Sequence, residues 1–147
     1  MENIRELKIT DLDECVDLFI SVFNSEPWND GWTVEKANKR LQNIFQNSGF
    51  YGGYWKYDIL IGFACGNKEQ WTDLEHFNLI ECCVDNEKQN MGIGTKVISK
   101  LEQELLGQNC SRIYLLTMRS SLAETFYKKN GYYVNERMIM MGKKLSR

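Results

Sequence analysis

The sequence predicts a single domain with an α/β fold of the α+β type, in which about four helices cover a mixed, mostly antiparallel sheet of about seven strands. Three observations lead to this prediction. The 147 residues suit one hydrophobic core, and neither a low-complexity linker nor an internal repeat divides them. Segments of helical and of alternating hydrophobic period follow one another in the order β-α-α-β-β-β-α-β-α-β-β. We therefore expect residues 1–147 to form one domain.

One strand and two helices are predicted at the start of the chain. Residues 3–9 alternate apolar and charged side chains, which is typical of a strand. Thr10 and Asp13 then resemble a capping box, in which Thr10 caps the first helix and Asp13 reaches back to it. The polar segment 24–31 breaks the helical period and predicts a loop. Thr33 stands where a cap for the second helix is expected.

Strands dominate the middle of the chain. Residues 50–56 and 59–66 predict a hairpin with residues 57–58 in its turn. Residues 77–84 predict a stronger strand, and after a polar loop a helix begins at Gly92. The apolar stripe of this helix comprises Ile93, Val97, Ile98, Leu101 and Leu105.

The C-terminal part predicts a strand, a short helix and two more strands. Residues 112–118 are almost wholly apolar, which favours a central strand. Ser121 and Glu124 form a second capping box, and Gly131 ends the helix because glycine accepts the left-handed conformation of a C-cap. The last two predicted strands are residues 132–134 and 137–142.

Composition excludes several classes of protein. The net charge of -2 provides no general basic field for nucleic acid. The five cysteines are scattered, only one histidine is present, and no CxxC pair occurs, so we expect neither a disulfide framework nor a metal site. Cys82 and Cys83 have no evident neighbouring base, which disfavours a cysteine nucleophile. Without a signal peptide or a stretch of about 20 apolar residues, we expect a soluble, cytoplasmic protein that does not bind membranes.

The densest chemical signal lies where strand 77–84 leads into the following helix. Gly92 and Gly94 stand directly at the helix N-terminus, where backbone amides without intrahelical partners suit a pyrophosphate. A simple strand-to-helix turn would use the same glycines, so this pattern alone leaves both interpretations open. The chain has no GxxxxGK[ST] segment and no GxGxxG after its first strand, which argues against a P-loop and a dinucleotide-binding fold.

Two segments resemble motifs of one family. Gln89-Asn90-Met91-Gly92-Ile93-Gly94, preceded by Val84-Asp85, matches the Q/R-x-x-G-x-G/A signature of the GNAT acetyltransferases. About thirty residues later, AETFYKKNGY resembles the family's A-x-x-F-Y-x-K-x-G-F motif, with Tyr132 in place of Phe. The chain is therefore similar to GNAT superfamily N-acetyltransferases, and the segment VFNSEPWNDGW adds a resemblance to the aminoglycoside 6′-N-acetyltransferase branch. This resemblance implies acetyl-CoA as donor and a primary amine as acceptor.

The resemblance also assigns residues to the co-substrate acetyl-CoA. Backbone amides of residues 89–95 would bind the pyrophosphate, and the backbone of Cys83 and Val84 would bind the pantetheine arm. The complete set of expected cofactor-binding residues is Cys83, Val84, Gln89, Asn90, Met91, Gly92, Ile93, Gly94, Thr95, Phe126 and Lys129.

Acetyl transfer to an amine needs a group that takes the amine proton and a group that protonates the departing thiolate. By resemblance Tyr127 is the general acid, since a phenol is protonated at neutral pH; packing beside Phe126 is the alternative. Glu81 is the candidate base, acting directly or through water; a surface glutamate, or one paired with Arg or Lys, is the alternative. Alternation predicts that four side chains share one face of this strand, those of Phe77, Leu79, Glu81 and Cys83.

The loop between the first two helices supplies the candidate acceptor-binding residues Glu26, Trp28, Asp30 and Trp32. Carboxylates and aromatic faces suit a cationic amine, and we expect an acceptor with more than one amine, such as an aminoglycoside or a polyamine. The alternative is that the tryptophans only fix the helices to the core. A protein or peptide amine acetyltransferase and an acyl-CoA-binding regulatory or interaction module also stay open. The sequence allows a homodimer without specifying one.

Overall fold

A computed structural model describes residues 2–47, 50–56 and 58–146. Their contacts divide the chain into two compact units, one ending at Leu116 and one beginning at Thr117. The prediction of one domain remains a prediction. Within the described residues lie β1 Glu2–Arg5, α1 Leu12–Phe23, α2 Val34–Gln46, β2 Phe50–Lys56, β3 Ile59–Gln70, β4 Glu75–Val84, α3 Ile93–Leu106, β5 Cys110–Tyr114 and α4 Leu122–Lys129, with 3-10 turns at Ile9–Asp11 and Asn86–Lys88.

The sheet is mixed and mostly antiparallel, as predicted. Strands β1 to β4 are antiparallel neighbours in chain order, and β5 pairs in parallel with β4. The predicted hairpin of β2 and β3 is confirmed, with Lys56 opposite Ile59. Tyr57, which the sequence predicts in the connecting turn, lies outside the described residues. Strand β3 extends to Gln70, beyond its predicted end at Gly66.

Different helices cover the two faces of the sheet. Helices α1 and α2 bury apolar side chains in a core that they share with Phe63 and Cys65 of β3. Gly62, the neighbour of Phe63, faces the other way, because a Cβ built on it would lie 3.2 Å from Cγ2 of Ile93 in α3. Helix α3 therefore lies on the opposite face. Its buried residues are the predicted ones, Ile93, Val97, Ile98, Leu101 and Leu105.

The predicted cap of α2 is confirmed and that of α1 is wrong. Thr33 Oγ1 accepts a hydrogen bond of 3.2 Å from the backbone N–H three residues further on. At the first helix Asp11, and not Thr10, receives the backbone N–H of Lys8, at 2.7 Å. Asp11 is held there by an ion pair of 2.8 Å with Arg5, which also lowers the pKa of its carboxyl. Asp11 is the N-cap of α1 but makes no side-chain cap bond to it, and its carboxylate instead closes the preceding 3-10 turn.

A β-bulge in β4 changes which face Glu81 occupies. Glu81 lies opposite Cys65 and Leu79 lies opposite Gly66, so Ile80 is an extra residue in β4. Directly opposed residues share a face, whereas the adjacent residues Cys65 and Gly66 point to opposite faces. Glu81 therefore lies on the face of α1 and α2, and Leu79 lies on the face of α3. The prediction that four alternate side chains of this strand share one face is wrong, because the bulge divides them into two pairs.

Glycine is required at the bulge. A Cβ built on Gly66 would overlap with the carbonyl oxygen of Asn78. The backbones of β3 and β4 approach here more closely than any side chain allows. A bulge also bends the strand that carries it. Strand β4 therefore changes direction between Asn78 and Glu81.

The described sheet has five strands and not about seven. Strand β5 ends at Tyr114 and is an edge strand with mostly exposed side chains, so the prediction of a central strand over 112–118 is wrong. In the second unit residues 132–146 include no strand, and the N–H of Met138 instead bonds the carbonyl of Asn135 at 3.2 Å in a turn. A strand requires a hydrogen-bonded neighbour, and an alternating sequence cannot supply one by itself.

Candidate active site

The sheet opens along β4. Residues Glu75 to Asn78 pair with β5, from Cys110 to Tyr114. Beyond Asn78, residues 79–84 pair with β3 alone among the described residues. Half of the backbone N–H and C=O groups of this stretch point away from β3, and they need another partner. An extended ligand that carries amides could pair with them as an additional strand would.

The unpaired edge leads directly to the N-terminus of α3. Gly92 is the N-cap, with a left-handed φ of 78°, and it provides no side-chain cap. The first helical bond is donated by Lys96 to the carbonyl of Gly92, so the amides of residues 93–95 have no intrahelical acceptor. A Cβ on Gly92 would find no atom within 4 Å. The predicted phosphate loop therefore presents open, positively polarised amides, which fit a pyrophosphate.

Side chains of the loop itself set its shape. Gln89 donates to the carbonyl of Val84 at 3.1 Å and to Oδ1 of Asn86 at 3.0 Å. Asn90 has a left-handed φ of 65°. The Gln89 side chain thus joins the loop back to the end of β4, while Met91 is exposed. A loop with this bracing needs less ordering when a ligand binds.

Glu81 is buried and paired with Arg40 of α2. The Nε of Arg40 lies 2.6 Å from Oε1 of Glu81. Burial raises the pKa of Glu81 above its usual value, and the charge of Asp30 raises it further, whereas Arg40 acts in the opposite direction. The pairing with a basic residue, which the sequence left open, is thus present. A carboxylate with a raised pKa accepts a proton more readily than an ordinary glutamate.

The loop between α1 and α2 holds Trp32 firmly. Asn24 accepts from the backbone N–H of Trp32 at 2.6 Å and donates to its carbonyl at 2.8 Å. The Trp32 indole packs edge-on against the Phe19 ring, with ring centroids 5.0 Å apart. Its Nε1–H donates a hydrogen bond of 3.1 Å to Oδ2 of Asp30. Trp32 therefore helps to fix the loop to the core.

The other predicted acceptor residues are more exposed. Trp28 packs against Phe23 with ring centroids 5.7 Å apart and keeps 39% of its surface exposed. Glu26 and Asp30 are exposed. Their role in binding an acceptor stays a prediction.

A cavity of about 480 Å³ lies between α2 and the sheet. Three of its lining residues are cations, Lys36, Lys39 and Arg40, and sequence reasoning missed all three. Their spacing on α2 puts them on one helix face, and that spacing was a usable signal. A neighbouring recess of about 320 Å³ shares Trp32 and Lys36 with it. The full lining of the larger cavity is Trp32, Lys36, Lys39, Arg40, Asn43, Ile44, Asn47, Asn67 and Ile80.

Tyr127 lies on α4 in the second unit, where the predicted helix is confirmed. Ser121 caps it by accepting the N–H of Glu124 at 3.1 Å. Gly131, with φ 90°, follows its C-terminus. The half-buried Tyr127 ring contacts Phe126 at 5.1 Å between centroids, so the packing that the sequence left open is present. Phe126 is half-buried and Lys129 is exposed.

Two buried cysteines, Cys65 and Cys83, lack the environment of a nucleophile. Burial raises the pKa of Cys83 well above its ordinary value, and it does the same for Cys65. These side chains are therefore thiols at neutral pH, and a thiol is a poor nucleophile.

The described residues contain no group of three or more His, Cys, Asp or Glu side chains that could hold a metal ion. Across the same part of the chain, no helix is long and apolar enough to span a membrane.

Comparison with protein families decides what this arrangement is. The sequence model of the acetyltransferase (GNAT) family matches residues 12–132. This chain belongs to the GNAT acetyltransferase family. It is an acetyl-CoA-dependent N-acetyltransferase, as the two motifs implied.

Solved structures share the fold of this GNAT acetyltransferase at low sequence identity. A possible acetyltransferase from Clostridium difficile 630 is 16% identical, with a TM-score of 0.83 over 100% of this chain and 99% of that one. A second structure is 17% identical, with a TM-score of 0.77 over 99% of this chain and 97% of that one. It is the aminoglycoside acetyltransferase meta-AAC0020 from an uncultured soil metagenomic sample, in complex with sisomicin. The aminoglycoside N-acetyltransferase AAC(6′)-Iy, in complex with CoA, is 15% identical, with a TM-score of 0.78 over 99% of this chain and 96% of that one. No curated protein matches the sequence.

Proposed function

We propose that this enzyme moves the acetyl group of acetyl-CoA directly onto a primary amine of a small molecule, with both substrates bound together. One observation carries the proposal. The edge of β4 that β5 leaves unpaired runs straight into the glycine-capped start of α3. One continuous segment thus offers backbone groups to an amide-bearing arm and N–H groups to a pyrophosphate.

On the donor side the backbone does most of the binding. Cys83 and Val84 would pair with the pantetheine amides, and residues 89–95 would bind the pyrophosphate. Bound acetyl-CoA supplies an activated acetyl thioester. Phe126 and Lys129 are proposed to contact the same co-substrate.

Glu81 and Tyr127 are proposed to move the two protons. As the N–C bond forms and the C–S bond breaks, Glu81 takes the proton of the amine, directly or through water. Tyr127 gives its proton to the departing thiolate. Burial supports the role of Glu81, because it raises the pKa of this carboxyl and so strengthens it as a base.

The acceptor is proposed to bind beside the loop of α1 and α2. The two recesses that border this loop support the proposal, since both are open and lined by polar side chains. Two solved enzymes of this fold are aminoglycoside acetyltransferases, so aminoglycosides are the first acceptors to test. The proposed acceptor-binding residues are Glu26, Trp28, Asp30 and Trp32.

A thiol-release assay tests the proposed activity. The enzyme is mixed with acetyl-CoA and a panel of aminoglycosides, polyamines, amino acids and peptides, and the products are identified by mass spectrometry. We expect turnover with at least one small-molecule amine and its loss in Glu81→Gln. Calorimetric binding of acetyl-CoA without any turnover would contradict the proposal and favour an acyl-CoA-binding module. Turnover of peptides alone would contradict the small-molecule acceptor.

We also infer a homodimer. The second unit exposes four consecutive apolar side chains from Met138 to Met141, each at least 70% accessible. Contiguous exposed apolar surface usually marks an interface, and a two-fold axis would place this segment against an identical one. Light scattering should give twice the chain mass for the enzyme and the chain mass for Ile139→Lys/Met141→Lys. A monomeric wild-type enzyme would contradict the inference.

The cytoplasm is the proposed site of action. All five cysteines are free thiols, and three of the four buried ones lie in the core with α1 and α2. Free thiols of this kind are usual in a reducing compartment. Labelling of denatured protein taken from cells should find every thiol reduced, whereas a disulfide would contradict this location.

A further inference from the structure

The cavity beside Trp32 has a surplus of positive charge. Lys36, Lys39 and Arg40 project from one face of α2 at spacings of three and four residues, and all three line the cavity. Glu81 neutralises Arg40 at 2.6 Å. Among the described residues no carboxylate forms an ion pair with Lys36 or Lys39. Two positive charges that line the cavity thus face solvent or a ligand.

This arrangement does not help α2 to fold. Like charges three residues apart on a helix repel each other, as Lys36 does with Lys39. Lys36 also lies in the first turn, where the helix dipole disfavours a cation. An anion bound in the cavity would attract these cations and so offset their mutual repulsion. The cluster is therefore better explained by a ligand than by helix stability.

We infer that the acceptor carries an anionic group, a carboxylate or a phosphate, near its reacting amine, and that Lys36 and Lys39 bind this group. The inference rests on the proposed acetyl transfer. The site also offers a negative charge for the amine, because Asp30 lines the second recess, which shares Trp32 and Lys36 with the cavity. A molecule that carries both an amine and an anion can satisfy both ends. The polycationic acceptor expected from the loop sequence would meet repulsion from α2.

Matched acceptor pairs test the inference. L-lysine differs from cadaverine only by its carboxylate, and O-phosphoethanolamine differs from ethanolamine only by its phosphate. We expect the anionic member of at least one pair to have a kcat/KM about tenfold higher, and the better pair identifies the anion. The preference should weaken at high salt, because these lysines are exposed.

Lys36→Gln/Lys39→Gln should remove the preference and leave the KM of acetyl-CoA unchanged. The matched control is Lys8→Gln/Lys100→Gln, which also removes two charges but lies outside the cavity, and it should keep the preference. Calorimetry with the enzyme–CoA complex measures binding of each pair separately from turnover.

The outcomes separate the two proposals. Turnover of cadaverine, ethanolamine or an aminoglycoside at least as efficient as that of the anionic partners would overturn the inference and leave the acetyl transfer standing. Tighter binding of the anionic members without turnover of any amine would support the charge assignment and overturn the proposed function. An anion preference that survives in Lys36→Gln/Lys39→Gln would overturn the role of these lysines.

Discussion

The proposed donor side and the proposed acceptor side of this acetyltransferase are built from different parts. Residues 83–95 form the proposed donor side as one continuous segment, whose main features are unpaired backbone groups and a glycine N-cap. The acceptor side combines side chains from three separate elements, Asp30 in a loop, Arg40 in α2 and Glu81 in β4. A site made of backbone leaves a short motif in the sequence, whereas a site made of distant side chains leaves none. Replacing a side chain should therefore weaken acceptor binding, whereas CoA binding should weaken only when a substitution disturbs the backbone groups, for instance by adding a charge at Gly92.

The largest effect is expected at Tyr127, the proposed general acid. Tyr127→Phe keeps the ring contact with Phe126 and removes only the hydroxyl. Because general acid catalysis contributes about 10² to 10⁴ in rate, kcat should fall by that range while the KM of acetyl-CoA stays unchanged. Tyr133→Phe, at an exposed tyrosine of the same unit, is the control and should retain kcat. A wild-type kcat in Tyr127→Phe would reduce Tyr127 to a packing residue.

A charge at the helix start tests the backbone-built donor side. Gly92→Asp places a carboxylate among the open amides, and like-charge repulsion of a pyrophosphate should weaken CoA binding about tenfold or more. Gly92→Asn is the matched control, because asparagine tolerates the same left-handed φ of 78° and adds no charge. Calorimetry should show a much smaller loss of CoA affinity for Gly92→Asn than for Gly92→Asp. Equal losses would mean that backbone strain, and not the phosphate site, is responsible.

The ion pair on the acceptor side should set the pH dependence. Arg40 lowers the pKa of Glu81, so Arg40→Gln should raise this pKa further. In this variant Glu81 therefore loses its proton only at higher pH. The acidic limb of the kcat/KM profile should move to higher pH, and kcat/KM should fall about tenfold at the acidic end.

Arg5→Gln is the control for that shift, since it breaks another ion pair to a buried carboxylate, that of Asp11. It should lower the melting temperature without moving the pH profile. An acidic limb that stays in place in Arg40→Gln, or that moves to lower pH, would exclude Glu81 as the titrating base.

The smallest effect is expected at the loop carboxylates. Glu26→Gln/Asp30→Asn should raise the acceptor KM about two- to fivefold at low ionic strength, because exposed charge pairs contribute little each. The increase should be similar for L-lysine and cadaverine, whose amines it affects alike. Glu6→Gln/Asp13→Asn, at exposed positions outside both recesses, should leave the KM unchanged. No change in the loop variant would exclude Glu26 and Asp30 from acceptor binding.

Features that depend on local sequence could be predicted, and those that depend on pairing could not. Helices α3 and α4, the cap at Thr33 and the glycine N-cap follow from short-range periodicity and hydrogen bonding. The bulge at Ile80 exists only in the register with β3, so alternation along β4 assigned the wrong face. Arg40 and Glu81 lie 41 residues apart, and no short pattern joins them. The two predicted C-terminal strands would each need a hydrogen-bonded neighbour, which a sequence pattern does not reveal.

The glycine at the bulge also limits how this enzyme can diverge. Any other amino acid at position 66 brings a Cβ into the carbonyl oxygen of Asn78, and alanine already does so. Strands β3 and β4 would then have to separate next to the part of β4 that β5 leaves unpaired. In a random-mutagenesis library selected for new acceptors, the codons of α2 should therefore diversify, while codon 66 should remain glycine in every surviving clone.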